Sequence, residues 1–298
     1  MTTDNTVAPM TTTGAPDTTT GGPELTTGGE STGGGPTFVE GLARPESILH
    51  DVEGDVYLIS SINGDPGVED DNGFISRVLP DGTIDSLNWI DGAAMDVVLS
   101  APKGMAIVKT PDGDVLYVAD LNQVHKFDRA TGAPIASIPI GGAMFLNDVV
   151  ASPIGRVYVS DTVTNSIHFI DADDTVTTML ATPELDGPNG LLYTGDFLIA
   201  VAFNSADLFQ IGFEGPAANI GATFDFDSLD GIVAVADGLL VSSWDEETPG
   251  VYHVTPDLMT VTPVVEGIAS PADIEVDLER NVLLVPNMLM DRAEFYPL

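Results

Sequence analysis

Pro188-Asn189-Gly190-Leu191 and, 41 residues further on, Leu229-Asp230-Gly231-Ile232 are two copies of one phrase. Each copy is a turn residue, a polar residue and the start of an apolar strand. Earlier copies are Leu146-Asn147-Asp148-Val149, Pro102-Lys103-Gly104-Met105 and Pro45-Glu46-Ser47-Ile48, and a later one is Pro271-Ala272-Asp273-Ile274. From first to last, the copies begin 57, 44, 42, 41 and 42 residues apart. The intervening sequence consists of short apolar runs cut by turn residues, without helical periodicity. In the second repeat Gly104–Lys109 reads as a strand, Pro111-Asp112-Gly113 as a turn and Val115–Ala119 as the next strand; Gln123–Asp128 and Pro134–Ile140 follow. A period near 42 with about four strands per repeat predicts an all-β, six-bladed β-propeller.

The propeller accounts for residues 37–298. Residues 1–36 are rich in Thr, Gly and Pro, hold no basic residue and few large apolar ones. Such a stretch buries too little surface to offset its ordering entropy, so it reads as a disordered linker. The last repeat is one strand short after Asn281–Pro286 and Ala293–Tyr296. Thr37–Leu42 is expected to supply the missing strand and so close the ring without an open edge. The first repeat is about 15 residues longer than the others, the excess lying in Asn63–Gly73. This acidic loop reads as a surface excursion, or as a cap or cation site at the mouth.

The chain has 46 acidic and 9 basic residues, a formal charge of −37. That field repels nucleic acid and anionic membranes and favours cationic or neutral ligands. Most of the carboxylates read as a solvated surface. Cysteine is absent, which excludes disulfides and thiolate chemistry. No apolar run reaches membrane-spanning length, and Met1-Thr2-Thr3-Asp4 does not begin a signal peptide. Thr/Gly-rich linkers commonly follow an export signal, so an exported location (periplasmic, cell-surface or secreted) is expected for a chain that acts as a monomer on a small molecule.

A propeller stacks equivalent positions of its blades around one axis. The second residue of each phrase, Glu46, Lys103, Asn147, Asn189, Asp230 and Ala272, is therefore expected at one mouth of the central channel. Glu46, Asn147, Asn189 and Asp230 offer two carboxylates and two carboxamides, a set that suits one hard divalent cation. Ca²⁺ comes first, with Mg²⁺, Mn²⁺ or Zn²⁺ as alternatives. Asn-Gly and Asp-Gly are also ordinary turn dipeptides; the recurrence in one register, with Glu at one position, is what points to a site. Lys103 could pair with the carboxylates, stabilise an oxyanion, bind a substrate carboxylate or replace the metal. Asp273 could face the channel in place of Ala272.

The ordered set Pro45-Glu46, Leu146-Asn147-Asp148, Pro188-Asn189-Gly190-Leu191 and Leu229-Asp230-Gly231 resembles the SMP-30/gluconolactonase family of six-bladed propellers. Asn72-Gly73-Phe74-Ile75-Ser76, Ala101-Pro102-Lys103-Gly104 and Phe145-Leu146-Asn147-Asp148 are similar to an exported bacterial branch of it. The resemblance implies that Glu46, Asn189 and Asp230 bind the catalytic metal, with Asn147 beside it, and that Asp230 also acts as general base. The implied reaction is hydrolysis of a sugar lactone or similar cyclic ester. From its chemistry and not from the family, Lys103 is expected as a second catalytic group beside the alkoxide, and Asn147, Asp148 and Lys103 are expected to contact substrate. Lys103 departs from the family pattern. A non-catalytic binding propeller, with or without a structural metal, is the alternative.

The remaining candidates are weaker. His50, His125, His168 and His253 share no metal-ligand spacing. No Gly-x-Ser-x-Gly elbow falls within the repeats, residues 37–298, and no Gly-rich phosphate loop is evident there. Asp120, Asp161 and Asn204 end the second strands of their repeats and read as hairpin caps.

Overall fold

The computed structural model describes residues 35–213, 217–220 and 224–298. The linker expected over 1–36 lies outside the described residues except for Gly35 and Pro36. The described chain forms six four-stranded antiparallel sheets. Their first strands are Pro45–Asp51, Pro102–Val108, Leu146–Ala151, Pro188–Tyr193, Leu229–Val235 and Glu275–Asp277. These define blades 1 to 6. Each touches the first strand of the next blade, and the sixth returns to the first. No α-helix occurs among the described residues; the only helical segments are the 3₁₀ turns Pro183–Leu185 and Met288–Met290.

The ring closes as expected. Thr37–Glu40 pairs antiparallel with Arg292–Pro297, Thr37 opposite Phe295 and Glu40 opposite Arg292. The closing strand is two residues shorter than the expected Thr37–Leu42, because Gly41 turns away with φ +88°. A backbone bond from Asp273 N–H to the Glu46 carbonyl (2.9 Å) ties blade 6 to blade 1 at the axis.

Each of the six junctions between blades holds its own apolar cluster. Ala106, Tyr117, Val149 and Val159 join blades 2 and 3, and Ile199, Val201, Val241 and Tyr252 join blades 4 and 5. Alternation along each strand sends one set of side chains to the preceding blade and the other to the following one. Every blade is therefore buried on both faces, which explains the apolar runs in the sequence. Truncating one such residue, such as Val201→Ala, opens a cavity between two blades at a cost of about 1–3 kcal/mol.

Candidate functional site

What the periodicity does not reveal is a β-bulge at the phrase itself. Pairing with the second strand skips between Pro45 and Ser47, Pro102 and Met105, Leu146 and Val149, Pro188 and Leu191, and Leu229 and Ile232. The residues in the skip leave the ladder, and the bend re-aims their side chains. Hydroxyls on the second strand occupy the backbone donors that the bulge releases. Ser60, Ser160 and Ser242 accept from the N–H of Ser47, Asp148 and Gly231 at 2.9, 2.9 and 2.7 Å.

The skip takes in two residues in blades 2 to 5 and Glu46 alone in blade 1, and the second and third residues of the phrase have different fates. The third residue of the phrase presses on the next blade. A Cβ on Gly190 would lie 2.4 Å from the Asp230 carbonyl, and one on Gly231 2.6 Å from the backbone of Ile274, so these positions require glycine. The second residue points into the mouth. Glu46, Lys103, Asn147, Asn189 and Asp230 line one pocket of about 270 Å³, walled by Phe145, Phe203 and Trp244. Far apart in sequence, they are each at least nine-tenths buried.

Three oxygens in this pocket are buried without any hydrogen-bond partner: Glu46 Oε2, Asn189 Oδ1 and Asp230 Oδ1. Burial and the neighbouring Asp230 raise the Glu46 carboxyl well above the ordinary carboxylate range, against the pull of Lys103. Burial, with repulsion from Asp148, pushes Asp230 up to about 8, partly offset by the Asn189 amide. Asn147 donates from Nδ2 to Thr162 Oγ1 (3.2 Å), which leaves its carboxamide oxygen for the pocket. Among the described residues no three His, Cys, Asp or Glu side chains are grouped as a metal site. The mouth set differs in having two carboxylates completed by carboxamides. Buried, anionic and unpartnered oxygens of this kind are the donors a hard divalent cation takes.

Lys103 lies in the same pocket, 1% exposed. Its Nζ donates to the Ala101 carbonyl (2.9 Å) and sits 4.4 Å from the centre of the Phe145 ring. Burial lowers its pKa, while Glu46 and then Asp120 act to raise it. It forms no ion pair among the described residues, so of the expected roles direct pairing with a carboxylate is not the one seen.

Asp148 is a correction. It was expected at the substrate but does not reach the mouth pocket. As a third-position residue it is turned to the next blade, its Oδ1 accepting from Val149 N–H (2.5 Å) and its Oδ2 from Leu191 N–H (2.6 Å). It lines a separate cavity along the channel with Asp273 and Glu275. Burial raises all three, Asp148 to about 6 and Glu275 to about 7. Asp273 thus does face the channel, accepting from Ser47 Oγ at 2.6 Å, while Ala272 adds no polar group.

The long loop of blade 1 leans over the mouth. Pro66 lines the pocket, and the Gly64 carbonyl accepts from Arg44 Nη1 (2.8 Å). Of the three residues expected as hairpin caps, Asp161 bonds its own turn at Thr164 N–H (3.0 Å), while Asn204 falls beyond the end of its strand Phe197–Ala202. The main bonds of the two aspartates go elsewhere: Asp120 accepts from Ser100 and Ala101 N–H, and Asp161 from Met144 and Phe145 N–H. Both hold the backbone that leads into their own blade's phrase. None of the four histidines lines the mouth pocket. Sequence reasoning missed Arg44, one residue before a phrase, and the wall formed by Phe203 and Trp244. These two share a register that the repeat could have revealed: each directly follows its blade's second strand and donates its backbone N–H to the carbonyl of the residue before the phrase, Gly187 and Ser228.

No protein-family model and no curated protein matches the chain. Solved structures do. A protein described as a putative gluconolactonase superposes with a TM-score of 0.66 at 15% identity, covering 88% of this chain and 91% of its own. A gluconolactonase from Xanthomonas campestris gives 0.65 at 15%, covering 87% of each chain. Virginiamycin B lyase from Staphylococcus aureus gives 0.61 at 15%, covering 88% of this chain and 99% of the lyase. These likenesses establish the fold, a propeller that enzymes of two different reaction types use.

Proposed function

We propose that the mouth pocket is the active site of a divalent-cation-dependent hydrolase that opens a small cyclic ester of the lactone type. The observation that carries this reading is the trio of buried oxygens without partners, Glu46 Oε2, Asn189 Oδ1 and Asp230 Oδ1. Each unsatisfied buried group of this kind costs about 1–3 kcal/mol, so three converging from three blades call for a ligand that compensates them. The gluconolactonases among the structural neighbours support the same reading.

Glu46, Asn189 and Asp230 would hold the ion, with Asn147 beside them. Ca²⁺ is the first candidate because the donors are all oxygen; Mg²⁺ and Mn²⁺ follow, and Zn²⁺ is the poorest match. When bound, such an ion supplies Lewis acidity to a carbonyl oxygen and to water. Asp230 takes the proton of the attacking water and returns it to the ring oxygen as the C–O bond breaks. The Lys103 ammonium offsets the negative charge that develops on the carbonyl oxygen. Phe145, Phe203 and Trp244 keep bulk water from the reacting centre.

The lyase neighbours raise elimination as a second chemistry. One of them is described as catalytically inactive after replacement of a single histidine. With no histidine lining the mouth pocket here, hydrolysis has the better support. Calorimetric titration with Ca²⁺, Mg²⁺, Mn²⁺ and Zn²⁺, followed by lactone hydrolysis with and without chelator, tests the reading. Activity should vanish with chelator and return with the ion. Chelator-insensitive hydrolysis, or no cation binding at all, would overturn it.

A further inference from the structure

The chain has nine basic side chains, and all nine lie in the described residues. Seven form ion pairs: Arg77 with Asp85, Lys109 with Glu53, Lys126 with Asp174, Arg129 with Asp51, Arg156 with Asp171, Arg280 with Asp55 and Asp277, and Arg292 with Glu294. The two with no carboxylate partner among the described residues are Arg44 and Lys103, and both line the mouth pocket. In a protein with 46 acidic residues, leaving two cations uncommitted at one place is the opposite of what random pairing gives.

Arg44 is held for use. Its Nη1 is anchored on the Gly64 carbonyl, while its Nε is buried with no partner. Its backbone N–H is fixed by Asp291 Oδ1 (2.8 Å) and its carbonyl by Ile62 N–H (3.1 Å). The residue before the phrase is left-handed in three blades, with φ 51° at Arg44, 79° at Gly187 and 55° at Ser228. Glycine fills that position in blade 4 without steric penalty. Arginine there costs about 1–2 kcal/mol, and what it brings in return is a guanidinium at the mouth.

The charges set the ligand's sign. Glu46 and Asp230 are matched in number by Arg44 and Lys103, so a divalent ion on the carboxylates leaves the pocket with two surplus positive charges. We propose that Arg44 and Lys103 form an anion-recognition pair, and that the substrate of this pocket carries an anionic group, a carboxylate or a phosphate, besides the ester it presents for hydrolysis. Arg44 offers the planar fork that such groups accept, and Lys103 a compact second charge. Because the overall field of the protein repels anions, recognition comes from these two side chains at close range and not from long-range steering. This assignment rests on the mouth pocket being the substrate site.

Ring-opened acids bind without turnover, so they separate this idea from the hydrolase reading. The probes are D-gluconate, with one carboxylate, D-glucarate, with two, and 6-phosphogluconate, with a carboxylate and a phosphate. Each is titrated calorimetrically into the Ca²⁺-supplemented protein. The expected result is that glucarate, 6-phosphogluconate or both bind at least tenfold tighter than gluconate, the favoured one naming the anion. Arg44→Gln should reduce that preference to less than about threefold, and Lys103→Met should reduce it partially. Arg44→Lys is the reserve should Arg44→Gln not fold; it should keep part of the preference, through charge without the fork. Equal affinity for all three acids in the wild type, or a preference that survives both Arg44→Gln and Lys103→Met, would overturn the proposal. The hydrolase reading fails separately, through chelator-insensitive turnover.

Discussion

Asp230 and Asp277 are both buried aspartates in blade-defining strands, yet their surroundings drive them in opposite directions. At the seam between blades 6 and 1, Asp277 Oδ2 accepts from Tyr57 Oη (2.6 Å) and Arg280 Nη1 (2.8 Å), and Oδ1 accepts from the N–H of Glu279 and Arg280. These partners outweigh burial and hold it at about 2. At the mouth, Asp230 has an oxygen with no partner, and burial carries it to about 8. One carboxylate is fully used in holding the ring shut. The other is withheld from the fold's own hydrogen bonding, and the difference separates structural acid from functional acid in a chain where composition cannot.

The largest expected effect lies on the mouth side of this comparison. Asp230→Asn should lower lactone hydrolysis by about 10²–10⁴-fold, the range for losing a general base. It should also raise the melting temperature of the metal-free protein at pH 8, because a buried unpaired charge is gone. Steady-state kinetics and a thermal melt check both. Turnover within about threefold of wild type would remove Asp230 from the mechanism.

The two acids also predict opposite slopes of stability with pH. A carboxyl whose folded pKa exceeds its unfolded value imposes no penalty below the unfolded value and its full penalty above the folded one. For Asp230, metal-free stability should therefore fall as pH rises from about 4 to about 8, at roughly 1.4 kcal/mol per pH unit once the unfolded group is ionised. Glu46, Asp148, Asp273 and Glu275 act in the same direction. Asp277 does the reverse: its contribution is present above about 4 and is lost as pH falls through about 2. Denaturant melts from pH 2 to 9 with chelator should show both limbs. Added Ca²⁺ should reduce the upper limb by the share of Glu46 and Asp230, with proton release on binding, and leave the lower limb unchanged. An upper limb insensitive to every divalent ion would break the contrast between the two acids.

A smaller effect belongs to the seam. Tyr57→Phe removes one hydrogen bond to an ionised acceptor and should cost about 1.5–3 kcal/mol in urea melts. Cation affinity at the mouth should stay unchanged, since Tyr57 lies in the cluster joining blades 6 and 1. Loss of cation binding in this variant would mean that the mouth depends on the seam.

The sequence carried the ring and the convergence because both follow from a repeat: equal spacing places equivalent residues at equal height. Glu46, Lys103, Asn147, Asn189 and Asp230 all share the mouth pocket for that reason. Asp148 was misplaced because adjacency in sequence does not mean a shared face. The bulge that separates it from Asn147 is a change of pairing register, which leaves no mark in hydrophobic periodicity. Arg44 was missed because its significance is relational. It becomes visible only when every other basic residue but Lys103 is seen to be paired.

Lys103 gives the finest test of how far the mouth is set apart from the rest of the fold. Its ammonium is buried, hydrogen-bonded to the Ala101 carbonyl and within the field of Glu46. A cation bound on Glu46 and Asp230 would feel that charge as repulsion. Lys103→Met keeps most of the apolar stem against Phe145 and removes the charge, so divalent affinity should rise. The rise should be modest, severalfold and not hundredfold, because no direct ion pair is released and because the Glu46 carboxyl, without its counter-charge, climbs further and competes through protonation. Raising the pH removes that competition, so the gain should be larger at pH 9 than at pH 7. Calorimetric titration of wild type and variant at the two pH values measures it. Unchanged affinity at both would place the Lys103 charge outside the electrostatics of the site and leave anion recognition as its only assignment.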